Sequence, residues 1–141
     1  KKGLQGRTCI TESVLENVNP DMVSYSSYES IKKHPNYESL KSTVGELMDY
    51  IESKLKPKDN IPFKRRVFIG EYGYQVSQRN TKEDQCRETK DVIKASLELN
   101  LPFALHWEMY NNEYSDKGES KGMSLINEEG EKKLSEGRSQ Y

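Results

Sequence analysis

Cysteine, histidine and tryptophan are scarce in this chain, with two, two and one residues respectively. Cys9 and Cys86 allow at most one disulfide. The alternative is that Cys86 is a buried free thiol, since it falls on the apolar stripe of an expected helix. No Cys or His pair stands at ligand spacing, so neither a metal centre nor a cofactor is expected. Long hydrophobic runs are also missing. The stretch 101–107 is among the longest, at about a third of the roughly 20 apolar residues a membrane helix needs, so no membrane partner is expected. Lys and Arg number 22 against 23 Asp and Glu, interspersed along the chain. Without a field of one sign, a nucleic-acid partner is not expected.

What remains is a polar chain with a thin interior. The hydrophobic fraction is 33%, yet nine Tyr, three Phe and one Trp are too many for a disordered segment. Its 141 residues suffice for one domain with a core.

The pattern alternates helix and strand. Residues 11–18 read as a short helix ending before Asn19-Pro20, and residues 22–28 (MVSYSSY) as a strand with a wet C-terminal end. A loop is expected at 32–36. Tyr37, Leu40, Val44, Leu47, Met48, Ile51 and Leu55 recur at spacings of three and four, one face of a long helix. Residues 56–63 hold two prolines and form a loop, after which 66–72 (RVFIGEY) reads as a buried strand. Asn80 or Thr81 caps a further helix, with Asp84 placed for the reciprocal bond and Cys86, Thr89, Ile93 and Leu97 as its inner stripe. Residues 103–107 (FALHW) form the last strand. A polar, Gly-containing tail follows, with a turn at 127–130. Short strands between helices imply right-handed crossovers and a parallel sheet, hence an α/β class.

In parallel α/β folds, chemistry gathers where strands end. Strict alternation along 67–72 puts Val67, Ile69 and Glu71 on one face, with Phe68, Gly70 and Tyr72 on the other. A carboxylate directly after an apolar strand needs partners, and it is a candidate for function. Gly70 and Gly73 leave room beside it, and Trp107 on the next strand offers a flat apolar face.

The run 68–73 (FIGEYG) resembles the seventh-strand motif of the large clan of retaining (β/α)8-barrel glycoside hydrolases that includes cellulases, mannanases and β-galactosidases. Residues 105–113 (LHWEMYNNE) are similar to that clan's eighth strand and 21–28 (DMVSYSSY) to its sixth, and the segment 122–130 looks like its closing stretch. The likeness covers roughly residues 20–130 and rests on the order and spacing of short motifs. It implies that the whole chain, 1–141, is the C-terminal three strand–helix units of a barrel, since a complete barrel takes about 250 residues.

The resemblance makes Glu71 the nucleophile and Trp107 a platform for the sugar. It makes Tyr28, or alternatively Tyr25, a hydroxyl donor to Glu71. Tyr74, Gln75, Glu108, Tyr110, Asn111 and Glu113 stand on loops where sugar hydroxyls are bound. The clan's acid/base Glu lies in an Asn-Glu pair on the fourth strand. No strand before residue 22 supplies it, and Asn112-Glu113 follows the wrong strand. The implied partners are a carbohydrate substrate and the N-terminal part of the barrel, and the implied location is outside the cytoplasm. His34 reads as a loop residue and His106 as one packed under a helix. Two other readings stand beside this one: a non-catalytic carbohydrate-binding protein on the same fold, and a small α/β domain binding a nucleotide or a protein.

Overall fold

A computed structural model describes residues 6, 10–15, 17–32, 34–77 and 79–126. The expected turn at 127–130 and Cys9 lie outside the described residues. In chain order the elements are α1 (Ile10–Leu15), β1 (Val23–Ser26), α2 (Tyr28–Ile31), α3 (Tyr37–Glu52), β2 (Val67–Tyr72), α4 (Lys82–Glu98) and β3 (Ala104–His106). The strands make one parallel sheet in the order β1-β2-β3. The protein is therefore of mixed α/β architecture, as the alternation predicts.

Two compact units divide the chain: Lys1–Tyr72 with Lys90–Leu105, and Gly73–Thr89 with His106–Tyr141. The core of the first is built on α3. Asn36 caps this helix by accepting from Ser39 N at 2.9 Å, and Leu40, Val44, Leu47, Met48 and Ile51 are buried along one face. Ile31 of α2 and Val67, Ile69 and Tyr72 of β2 complete the interior. Each fully buried side chain of this size contributes roughly 1.5–3 kcal/mol.

The first unit also contains a buried cation. Arg66, at the entrance to β2, donates from Nη1 to Lys56 O at 2.6 Å and from Nε to Asp21 O at 3.1 Å; Nη2 reaches Asn19 Oδ1 at 3.3 Å and also Pro20 O. Glu52, closing α3, accepts from the backbone amides of Arg66 and Val67 at 3.1 Å. The loop before β1 and the loop before β2 are thus tied to one guanidinium.

Two expectations about this unit are corrected. The first strand stops at Ser26 rather than residue 28, because Ser27 O accepts from Ser30 N and Ile31 N and turns the chain into α2. Tyr28 is therefore a helical residue. The second correction concerns which side of β2 faces the helices. Val23 pairs with Val67 and Tyr25 with Ile69, but Ser26 pairs with Glu71, so Gly70 is an extra residue in a β-bulge. One extra residue inverts the alternation beyond it. The helix side takes Val67, Ile69 and Tyr72, and Glu71 does not share a face with Val67 and Ile69 as strict alternation predicts. The opposite face carries Ser24, Ser26, Leu105 and the edge-to-face pair Phe68–Phe103, with ring centroids 5.5 Å apart.

The inner stripe of α4 is corrected as well. Thr89 is buried as expected, but Cys86, Ile93 and Leu97 are exposed, Leu97 at 73%. The buried positions are Gln85, Thr89, Val92, Ala95 and Ser96. Cys86 is a free, exposed thiol rather than a buried one. The cap forms as predicted: Thr81 Oγ1 accepts from Asp84 N at 3.1 Å, and Asp84 Oδ2 accepts from Thr81 N at 3.0 Å. These bonds and the neighbouring Arg87 hold the Asp84 carboxyl below the usual carboxylate range.

In the second unit the chain after β3 is organised by two bridges, Tyr110 with Ile126 and Tyr114 with Ser120. Gln85 supplies its polar centre: Nε2 donates to Tyr74 O at 2.7 Å and lies within 3.4 Å of the carbonyls of Gly122 and Met123. This explains why α4 buries a glutamine where an apolar residue is expected.

Candidate functional site

The residues predicted to act fall into both units. In the first, β1, α2 and the bulged end of β2 bring Tyr28 and Glu71 together. The Tyr28 hydroxyl donates to Glu71 Oε1 at 2.7 Å, the ordinary length of an O–H···O hydrogen bond. The donor is Tyr28 rather than Tyr25. Tyr25 Oη instead bonds Ser30 Oγ at 2.9 Å, bracing α2 from below.

The bulge is permitted by Gly70. A Cβ there would overlap Ser24 Oγ and lie 2.9 Å from Ser24 Cβ, so β1 and β2 approach too closely for a side chain. Glu71 is held by its main chain as well. Its carbonyl accepts from Ser27 N at 2.9 Å and from Ser27 Oγ at 3.2 Å. Ser27 is a residue that the sequence pattern did not single out, because 22–28 reads as one continuous strand in which Ser27 is an ordinary member.

The second unit holds the remaining candidates. Trp107 is 40% exposed and is not a core residue. Gly73 passes so close to it that a Cβ would collide with the Trp107 carbonyl oxygen. Met109, Tyr110 and Tyr114 are also exposed on the same loop. Asn111 Oδ1 accepts from Ser120 Oγ at 2.8 Å, and Glu113 pairs with Lys121 at 3.5 Å, so both are engaged within their loop. Gln75 is exposed and its carbonyl accepts from Asn80 Nδ2. Two candidates are not on the surface. Tyr74 and Glu108 are 6% and 5% exposed, where a loop position predicts access to solvent. Tyr74 is drawn in through the bond from Gln85 to its carbonyl. The segment carrying Glu108 is pinned by bonds from Leu125 N to Glu108 O and from Ile126 N to Met109 O. Neither carboxylate oxygen of Glu108 has a hydrogen-bond partner among the described residues, a cost the fold carries.

His106 is half-buried, and burial lowers the pKa of its ring. His34 is fixed in its loop, Nε2 lying 2.7 Å from Ser30 O and Nδ1 3.3 Å from Ser39 Oγ. Among the described residues no group of three His, Cys, Asp or Glu side chains is arranged to hold a metal ion, and no helix is long and apolar enough to cross a membrane.

A carboxylate at a strand's end, with an aromatic hydroxyl bonded to one oxygen, is equipped to attack an electrophilic carbon or to accept bonds from substrate hydroxyls. Comparison with protein-family models, with characterised proteins and with solved structures finds no match to this chain.

Proposed function

We propose that this chain forms the last three strand–helix units of a (β/α)8-barrel glycoside hydrolase, acting with retention on the O-glycosidic bonds of an oligo- or polysaccharide, with Glu71 as nucleophile. The observation that carries this reading is the 2.7 Å bond from Tyr28 to Glu71 at the C-terminal end of β2. It holds one carboxylate oxygen in a fixed position, as a nucleophile requires. The sheet adds support. Its strands lie side by side in sequence order, as in a barrel, whereas a doubly wound sheet reverses its order at the binding site. Parallel sheets are covered on both faces, yet the face with Ser24, Ser26, Phe103 and Leu105 is exposed. That is the face a closed barrel fills with its other strands.

In the first step a Glu71 oxygen forms a bond to the anomeric carbon as the glycosidic C–O bond breaks. A second carboxyl group, about 5–5.5 Å away, protonates the leaving oxygen. In the second step that group takes a proton from water, the water oxygen bonds the anomeric carbon, and Glu71 departs. In this reading the second carboxyl group is supplied by an earlier strand of the barrel. Trp107 supplies a flat apolar surface of the kind on which sugar rings stack. No cofactor is needed.

The test is intact-mass measurement of the full-length protein after incubation with fluorinated dinitrophenyl glycosides of gluco, manno, galacto and xylo configuration, followed by peptide mapping. A covalent label on Glu71 is expected. Absence of label across the panel overturns the hydrolase reading in favour of a carbohydrate-binding protein.

A further inference from the structure

Ser27 occupies the N-cap position of α2 but does not cap it: its side chain makes no cap hydrogen bond. A serine at a helix start ordinarily gives its hydroxyl oxygen to the first-turn amides. Here the hydroxyl turns the other way and donates to Glu71 O at 3.2 Å, beside the amide bond from Ser27 N to the same oxygen at 2.9 Å. The residue is 1% exposed, so it contributes to the molecule's interior rather than to its surface.

The next residue is Tyr28, whose hydroxyl holds the Glu71 carboxylate. Two consecutive residues therefore grip Glu71 at both ends, Ser27 by the main chain and Tyr28 by the side chain. Ser27 O also accepts from Ser30 N at 2.8 Å and Ile31 N at 3.1 Å, which ties the turn carrying Tyr28 to the point where Ser27 meets β2. The grip falls on the residue directly after the bulge at Gly70, where the sheet register shifts and the strand ladder is locally disrupted.

We infer that Ser27 is a positioning residue for Glu71, acting by fixing the distance between the Glu71 backbone and the Tyr28 hydroxyl. This rests on the reading of Glu71 as nucleophile. Its helix-capping capacity is given up for that purpose, and the short α2 is held instead by Tyr25 Oη on Ser30 Oγ.

The experiment is the kinetics of covalent labelling of the full-length protein by whichever fluorinated dinitrophenyl glycoside labels the natural sequence. Ser27→Ala is nearly isosteric and keeps the amide bond. It is expected to lower the maximal labelling rate about fivefold, as loss of one ordinary hydrogen bond predicts, while the probe concentration at half-maximal rate stays within about twofold, since sugar binding is untouched. The decisive readout is the same change made in a Tyr28→Phe background. If Ser27 acts through the Tyr28 hydroxyl, its effect shrinks to less than about twofold there, because the two residues share one function. An undiminished effect in that background, or no effect in the natural sequence, overturns the inference while leaving Glu71 as nucleophile. A protein that takes no label overturns both.

Discussion

The bulge at the end of β2 rests on a close approach that one substitution destroys and a second restores. In Gly70→Ala the new Cβ would overlap Ser24 Oγ. Rotating the serine removes that oxygen, but Ser24 Cβ remains 2.9 Å away and is fixed to the backbone of β1. The strands must separate, at a cost of about 1–3 kcal/mol for an overpacked interior site. Ser24→Gly removes both atoms and leaves Ser24 Cα as the nearest neighbour at 3.4 Å, an ordinary contact. Alone, Ser24→Gly costs roughly 0.5–1 kcal/mol from the freedom of glycine in a strand. In the double variant the new alanine returns a similar amount, so its stability is expected within about 0.5 kcal/mol of the natural protein, with a favourable coupling of about 1–3 kcal/mol. Urea unfolding of the four proteins measures this, read from the midpoints at constant slope. Additive losses would refute the claim that Gly70 is required by its contact with Ser24.

Replacing Arg66 by Ala leaves the carbonyls of Lys56, Asp21 and Pro20 without their donor; a loss of about 3 kcal/mol is expected by urea unfolding, and Arg66→Lys recovers only part, since an ammonium lacks the planar fork. Glu108→Met replaces a buried, unpartnered carboxylate by an apolar side chain of similar length, and stability should rise by roughly 1–3 kcal/mol in thermal unfolding; a fall would show that the carboxylate has a partner in solution. His106 has its pKa lowered by burial from the ordinary 6.5. The unfolded chain therefore binds a proton first as pH falls, and stability declines below about pH 6.5 where it is flat above. His106→Gln should remove that decline in melting temperatures recorded between about pH 5 and 8. Thr81→Ala takes away the hydroxyl that accepts from Asp84 N and is expected to cost about 1 kcal/mol, seen as earlier fraying of α4 by hydrogen exchange.

Local signals made much of the fold legible from the residues. The three- and four-residue spacing of α3, the Thr81–Asp84 box at the start of α4 and the short apolar runs of β2 and β3 each depend on interactions within one turn or one strand. What was not legible depends on residues far apart in the chain. An extra residue in β2 leaves no mark in its composition, because Gly70 is a bulge only in relation to Ser24 on β1. The buried face of α4 is displaced from its most apolar residues because Gln85 meets the carbonyls of Tyr74, Gly122 and Met123, which no helical periodicity records. Tyr74 and Glu108 looked like loop residues and are interior for the same reason: bonds from Gln85, Leu125 and Ile126 draw their backbones in. Sequence by itself determined the α/β class and the course of α3, and it marked the Glu71 carboxylate as a candidate. Tertiary structure alone decided which way that carboxylate faces and what holds it, because a one-residue shift in strand register, set by a contact between two chains of atoms 46 residues apart from Ser24 to Gly70, reverses every side chain beyond it.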